Sequence, residues 1–127
     1  MLPDRIAVAI IKEGKILLVQ ATNSDFYITP GGKIESGESH QDALARELRE
    51  ELGVQLKSIK PYLSYKTTAE KTGEEQTVHC YLAEIEGEPI VANEIKEYQW
   101  FDKQNLPKLA KGIQNFVIPK LLEDSLL

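Results

Sequence analysis

Glu47, Glu50 and Glu51 stand three and four positions apart, so a helix through them brings three carboxylates to one patch. Left unneutralised they would repel one another. An acidic helix face is ordinarily just solvated, but three neighbouring features point further. The glycine pair Gly31-Gly32 lies upstream, Glu35 and Glu38 occupy the connection, and Arg46 and Arg49 interrupt the acids on the same segment. Carboxylates beside a loop that offers backbone carbonyls make a hard, oxygen-rich donor set. Such a set suits magnesium, which takes oxygen ligands in octahedral geometry. The chemistry this predicts is binding of a hard divalent cation.

The elements that must hold these residues can be read around them. Ser39 is placed to cap a helix, with Asp42 three residues on, and Gly53 to close it, which predicts a helix from His40 to Leu52. Leu44, Leu48 and Leu52 recur every fourth residue and give that helix an apolar stripe, leaving its charges on the other faces. Upstream, Ile6 to Ile11 and Lys15 to Gln20 are nearly continuous apolar runs separated by Lys12-Glu13-Gly14, which predicts a hairpin of strands buried on both faces. Tyr27 to Gly32 contains Pro30 and the paired glycines and reads as a loop. Downstream, Val54 to Tyr65 and Thr77 to Ile85 read as strands joined by a polar tip at Thr67 to Glu75. Glu97 to Phe101 reads as a further strand, and Leu109 to Leu122 as a closing helix that Pro119 should kink. Strands mixed with two helices, with no repeat and no Pro-, Gly- or Ser-rich linker, predict one α/β or α+β domain over residues 1–127.

The stretch from Gly32 to Val54, GKIESGESHQDALARELREELGV, resembles the Nudix box G-x5-E-x7-R-E-U-x-E-E-x-G-U, in which U is aliphatic. Gly32, Glu38, Arg46, Glu47, Leu48, Glu50, Glu51, Gly53 and Val54 fill its constrained positions. The resemblance implies a Nudix fold, an α/β/α sandwich with a mixed β-sheet. It further implies hydrolysis of a phosphoanhydride in a nucleoside diphosphate linked to another group. Glu47, Glu50 and Glu51, with the backbone carbonyl of Gly32 or Gly31, would then be ligands of Mg2+ or alternatively Mn2+. Arg46 would orient a box glutamate, and Glu38 would support the metal shell. A general base is implied in the box, at Glu50, or in a distant loop, where Glu94 matches better than Glu97 because the latter falls in the expected strand. Bound metal neutralises phosphate and acidifies water, which makes a glutamate base reasonable.

Within that family the strand Ile6 to Ile11 and the loop Tyr27 to Glu35 resemble MutT-type enzymes, which convert nucleoside triphosphates to monophosphate and pyrophosphate. Asn115, fifteen residues after Trp100, matches an asparagine that reads a purine base there, as a side-chain amide with donor and acceptor is able to do. Tyr27 is placed to stack on a base, as is Phe26, and Lys33 to meet phosphate. Gln20 departs from the pattern, because many of these triphosphatases have a basic residue there. Hydrolysis of ADP-ribose or another nucleoside diphosphate sugar is the alternative activity, and a Nudix-fold module that binds nucleotide or protein without turnover is the non-enzymatic one.

The bulk numbers bound these readings. A chain of 127 residues, 42% hydrophobic and 28% charged, has room for one core and one nucleotide pocket. A net charge of -5 disfavours a broad grip on nucleic acid. No apolar run reaches the length of a membrane span, and Met1-Leu2-Pro3-Asp4 has no leader-like blocks, so a cytoplasmic location is expected. Cys80 is single and sits in a strand pattern, which makes it a core residue rather than half of an internal disulfide. His40 and His79 are too few and too far apart in sequence to suggest zinc. The expected partner is a small nucleotide, with the chain a monomer or homodimer.

Overall fold

A computed structural model describes residues 4–127. Met1 to Pro3, part of the segment read above as lacking a leader, lie outside the described residues. The strands are β1 (Asp4–Ala9), β2 (Ile11–Lys12), β3 (Lys15–Ala21), β4 (Gly31–Lys33), β5 (Gln55–Thr68), β6 (Glu75–Glu86) and β7 (Ile95–Phe101). Helix α1 spans His40–Leu52, and a π-helical turn, Ile113–Val117, runs into α2 (Ile118–Glu123). Four strands form a mixed sheet in the order β4-β1-β6-β5, and three form an antiparallel sheet in the order β2-β3-β7.

Side-chain alternation decides which layer each residue joins. Ile6, Val8, Ile10, Leu17 and Val19 pack with Ala43, Leu44, Leu48 and Leu52 of α1. Ala7, Ala9, Ile16 and Leu18 point the other way and pack with Ile113, Val117, Ile118 and Leu121. The strands therefore lie between α1 on one side and the closing helix on the other, the expected α/β/α arrangement. Leu44, Leu48 and Leu52 are fully buried, and each contributes about 1.5–3 kcal/mol by leaving water. That stripe fixes the rotation of α1 and so the direction its charges face. Cys80 is buried in the second cluster as expected, and burial pushes its thiol up to about 12.

Three expectations need correction. The Ile6 to Ile11 run is not one arm of a hairpin, because the chain changes sheets at Ile10. Only Ile11↔Ile16 and Lys12↔Lys15 pair across the turn, while β1 pairs in parallel with β6 from Asp4↔Thr77 to Ala9↔Leu82. Hydrophobicity on both faces reports burial and not the partner. The Tyr27 to Gly32 loop contains the start of β4, where Ala7↔Gly31 and Ile6↔Gly32 pair antiparallel. Gly31 has φ 153°, and a Cβ there would overlap the Ile6 carbonyl oxygen, so the strand approaches closely only because the residue is glycine. The closing helix is not regular from Leu109, whose backbone bridges to Tyr27. Pro119 cannot donate to the carbonyl four residues back and crowds it, and the widened π turn before it relieves that crowding. Among the described residues no helix is long and apolar enough to cross a membrane.

Candidate functional site

The expected ends of α1 are observed. Ser39 Oγ accepts from the Asp42 N–H at 3.1 Å, and Gly53, at φ 63°, closes the helix with its N–H donating to the Arg49 carbonyl. The loop after β6 seals the same end. Ile90 N donates to the Leu52 carbonyl, Ala92 N to that of Glu51, and the Asn93 side chain to that of Glu50.

Arg46 organises the charged flank. Its Nε and Nη2 donate to the two oxygens of Glu38 at 2.7 and 3.0 Å, the planar fork that a guanidinium offers a carboxylate. Nη1 donates to Glu47 Oε1 at 2.9 Å and lies 3.4 Å from Glu50 Oε2, and Nη2 also donates to the Lys33 carbonyl. The Arg46 bond holds the Glu38 carboxyl below the usual carboxylate range, helped by the Glu35 N–H. Glu47 moves upward instead, because burial outweighs the opposing pull of Arg46. With Glu35 Oε1 3.6 Å from Nη1, one cation thus links the pre-helix loop, β4 and four acids.

Glu51 differs from its neighbours. Its Oε1 accepts from the Gly31 N–H at 3.1 Å. Burial is the main cause that pushes its carboxyl up to about 8. The Gly31 bond and Arg5 oppose the shift, whereas Glu47 and Glu94 reinforce it. Gly32 packs so tightly on Glu47 that a Cβ there would lie 2.5 Å from Glu47 Oε1. The absence of a side chain at Gly32 is therefore what lets the Glu47 carboxyl lie against β4.

The donor chemistry fits a hard cation. Three carboxylates and a glycine strand are gathered, and Glu47 and Glu51 carry a desolvation cost that a bound divalent ion would offset. Among the described residues no three acidic or histidine side chains already converge on one ligand position. Arg46 draws Glu47 and Glu50 toward itself and Glu51 turns to Gly31, which spreads mutually repelling charges.

The Glu94 carbonyl accepts from the Thr22 N–H, and the Glu94 charge is felt at Glu51. Glu97, on β7, is engaged elsewhere and accepts from the Tyr27 hydroxyl. Glu94 directly follows Asn93, whose side chain donates to the Glu50 carbonyl at the end of α1.

Beside this cluster, on the α2 face of the mixed sheet, lies a cleft of about 230 Å3. Gly31 and Gly32 form one end, and Thr67, Ala69, Glu70 and Lys71 of the β5–β6 hairpin another. Phe26, Ile28, Tyr65, Val78 and Ile113 give it an apolar wall. Glu70 accepts from the Lys111 N–H and ties the hairpin tip to the start of the closing helix.

The three expected substrate-binding residues do not line this cleft. Asn115 is exposed on the π turn, and Gly112 and Ile113 face the cleft in its place. Tyr27 turns to Glu97 and packs edge-on against Phe101 at 5.1 Å, leaving Phe26 as the lining aromatic. Lys33 is exposed at the sheet edge and engages the site through its carbonyl, which Arg46 holds. Sequence reasoning missed Arg5, Thr67 and Gln76, all cleft residues. Arg5 carried a readable signal, since it is a charge at the head of an apolar strand, in phase with the small residues Ala7 and Ala9.

The site is thus a glutamate helix held by one arginine, abutting a glycine strand and opening on a cleft within an α/β/α sandwich. The family profile described as the NUDIX domain matches residues 1–121, and the chain belongs to that family. It is 35% identical over 104 residues to an ADP-ribose pyrophosphatase of Methanocaldococcus jannaschii, covering 78% of this chain and 61% of that protein. It is 36% identical over 104 residues to the uncharacterized Nudix hydrolase YvcI of Bacillus subtilis, covering 75% and 65%. The chain thus spans less than two thirds of the length of these relatives. Among solved structures, a MutT NUDIX hydrolase from Burkholderia pseudomallei superposes with a TM-score of 0.81 at 27% identity, covering 90% of this chain and 94% of that one.

Proposed function

We propose that the protein is a pyrophosphohydrolase that hydrolyses a phosphoanhydride in a nucleoside diphosphate derivative, with a nucleoside triphosphate, cleaved to monophosphate and pyrophosphate, as its preferred substrate. The observation that carries the reading is the partly buried cluster of Glu47, Glu50 and Glu51 abutting Gly31 and Gly32 at the mouth of a cleft. Magnesium, or manganese, held by Glu47, Glu50, Glu51 and the Gly32 carbonyl would supply charge neutralisation for the polyphosphate and acidify the attacking water. Arg46 positions Glu47 and Glu50, and Glu38 positions Arg46. Glu50, half exposed, and Glu94, whose charge is felt at Glu51, are the carboxylates available to accept a proton from water. The apolar wall excludes water from a bound nucleoside.

A cleft of about 230 Å3 suits one nucleoside with its phosphates trailing to the helix, which favours a triphosphate over a dinucleotide-like substrate. The second reading, hydrolysis of ADP-ribose or a related nucleoside diphosphate sugar, is favoured by the name of the M. jannaschii relative. Product analysis over a panel of nucleotides, with magnesium and with chelator, separates these readings. Pyrophosphate with monophosphate supports the first, and ribose phosphate with AMP from ADP-ribose supports the second. Tight nucleotide binding with no product would refute both and leave a binding module.

A further inference from the structure

Arg5 is half-buried in β1, and its side chain lines the cleft. Its place in the sheet is fixed on both sides, opposite Lys33 of β4 and beside Val78 of β6, which in turn pairs with Tyr65 of β5. One row across four strands therefore runs from the edge strand of the glutamate cluster, through Arg5, to the apolar wall. The Arg5 charge is felt at Glu47 and Glu51 on one side and at Tyr65 on the other. Yet among the described residues no carboxylate oxygen comes within ion-pair distance of it, whereas Arg46 has four acidic partners.

A nucleotide that lays its base on the wall formed by Phe26 and Ile113 and its terminal phosphates at the glutamates must pass Arg5 with the part between them. That part is the phosphoryl group nearest the ribose. A guanidinium pairs with two phosphate oxygens at once, which fixes orientation as well as adding affinity. Resting on the nucleotide reading above, we infer that Arg5 binds the nucleoside-proximal phosphoryl group of the substrate and thereby sets which phosphorus faces the glutamate helix. Arg5 is then a substrate-binding residue on β1, outside the box.

Calorimetric titration with nucleosides and with their 5′-monophosphates, in magnesium, tests this on the parent chain, Arg5→Gln and Arg5→Lys. The parent should bind a monophosphate more tightly than its nucleoside. Arg5→Gln should weaken monophosphate binding about 10- to 100-fold, the range expected for a lost charge-assisted contact. Nucleoside binding and the thermal midpoint should not move, and Arg5→Lys should recover part of the loss by keeping charge without the fork. Unchanged monophosphate affinity in Arg5→Gln would overturn the inference and leave the nucleotide reading standing. Equal weakening of nucleoside and monophosphate would also overturn it, by making Arg5 a structural residue. A parent chain that binds neither class would overturn both.

Discussion

Replacing Glu51 by glutamine removes one charge from a place where folding makes that charge expensive. In the folded protein the carboxyl is pushed up to about 8, chiefly by burial, from an ordinary 4.5. A carboxyl raised in this way stabilises the fold while protonated, so its contribution is complete below about pH 4.5 and is lost as pH rises toward and through 8. The gap of about 3.5 between the two values corresponds to about 4–5 kcal/mol at 1.36 kcal/mol for each. Near pH 8, where the folded group is half ionised, about 4 kcal/mol of this is already gone. That is a large share of the roughly 5–15 kcal/mol by which domains are stable. Glutamine keeps the shape and an oxygen for the Gly31 N–H but does not ionise. Some cost of burying an amide remains, so in chelator at pH 8 Glu51→Gln should exceed the parent by roughly 2–4 kcal/mol. The difference should vanish near pH 5. Urea unfolding followed by circular dichroism at pH 5, 6.5 and 8 reads it as a midpoint about 1–2 M higher at pH 8, for a slope of about 1–3 kcal/mol/M. Magnesium should narrow the gap, because an ion bound only to the folded parent stabilises it by mass action. Coincident midpoints at pH 8 in chelator would refute the account of Glu51 as an unpaid buried charge.

Other expected outcomes follow from the same geometry. Glu50→Gln alters a half-exposed side chain on a helix whose stability comes from Leu44, Leu48 and Leu52, so it should lose most turnover while its thermal midpoint stays within about 2 °C of the parent; normal turnover in the folded variant would remove Glu50 from the metal set. Gly32→Ala must displace the Glu47 carboxyl, the mobile end of its side chain, and so should cost no more than about 1 kcal/mol in denaturant unfolding. Its turnover should fall at least roughly tenfold, the loss expected when a reacting group is misplaced by an ångström or so. Asn115→Ala, on an exposed position outside the cleft, should leave the ratio of purine to pyrimidine turnover unchanged; a changed ratio would return the base-reading role to that residue.

What the sequence made legible was whatever depends on contiguous residues. Helix α1 could be bounded because its cap, stripe and terminal glycine are all local signals between Ser39 and Gly53. The gathering of Glu38, Arg46, Glu47 and Glu50 was legible because one helix and its lead-in carry them. The cleft was not, since it is assembled from β1, β4, the β5–β6 hairpin and the π turn, whose pairings no local pattern specifies. Asn115 was placed by counting from Trp100, but a π turn widens the spiral and changes which residues face inward. Phe26 and Tyr27 were equivalent as neighbouring aromatics until the remote partner Glu97 took the Tyr27 hydroxyl.

The parallel pairing of β1 with β6 joins positions about seventy residues apart. Contacts of that separation close a long loop before they return any energy, so they form late. The glutamate helix, by contrast, is encoded within one short stretch and is synthesised, and emerges from the ribosome, before β6. During synthesis the acidic cluster should therefore exist for a time as a helix without its cleft. Pulse-labelled hydrogen exchange during refolding should find amides of α1 protected before those of β1. The part of the protein proposed to hold a cation is thus the part that folds from local instructions, and the part proposed to choose a substrate waits for strands that are distant in sequence.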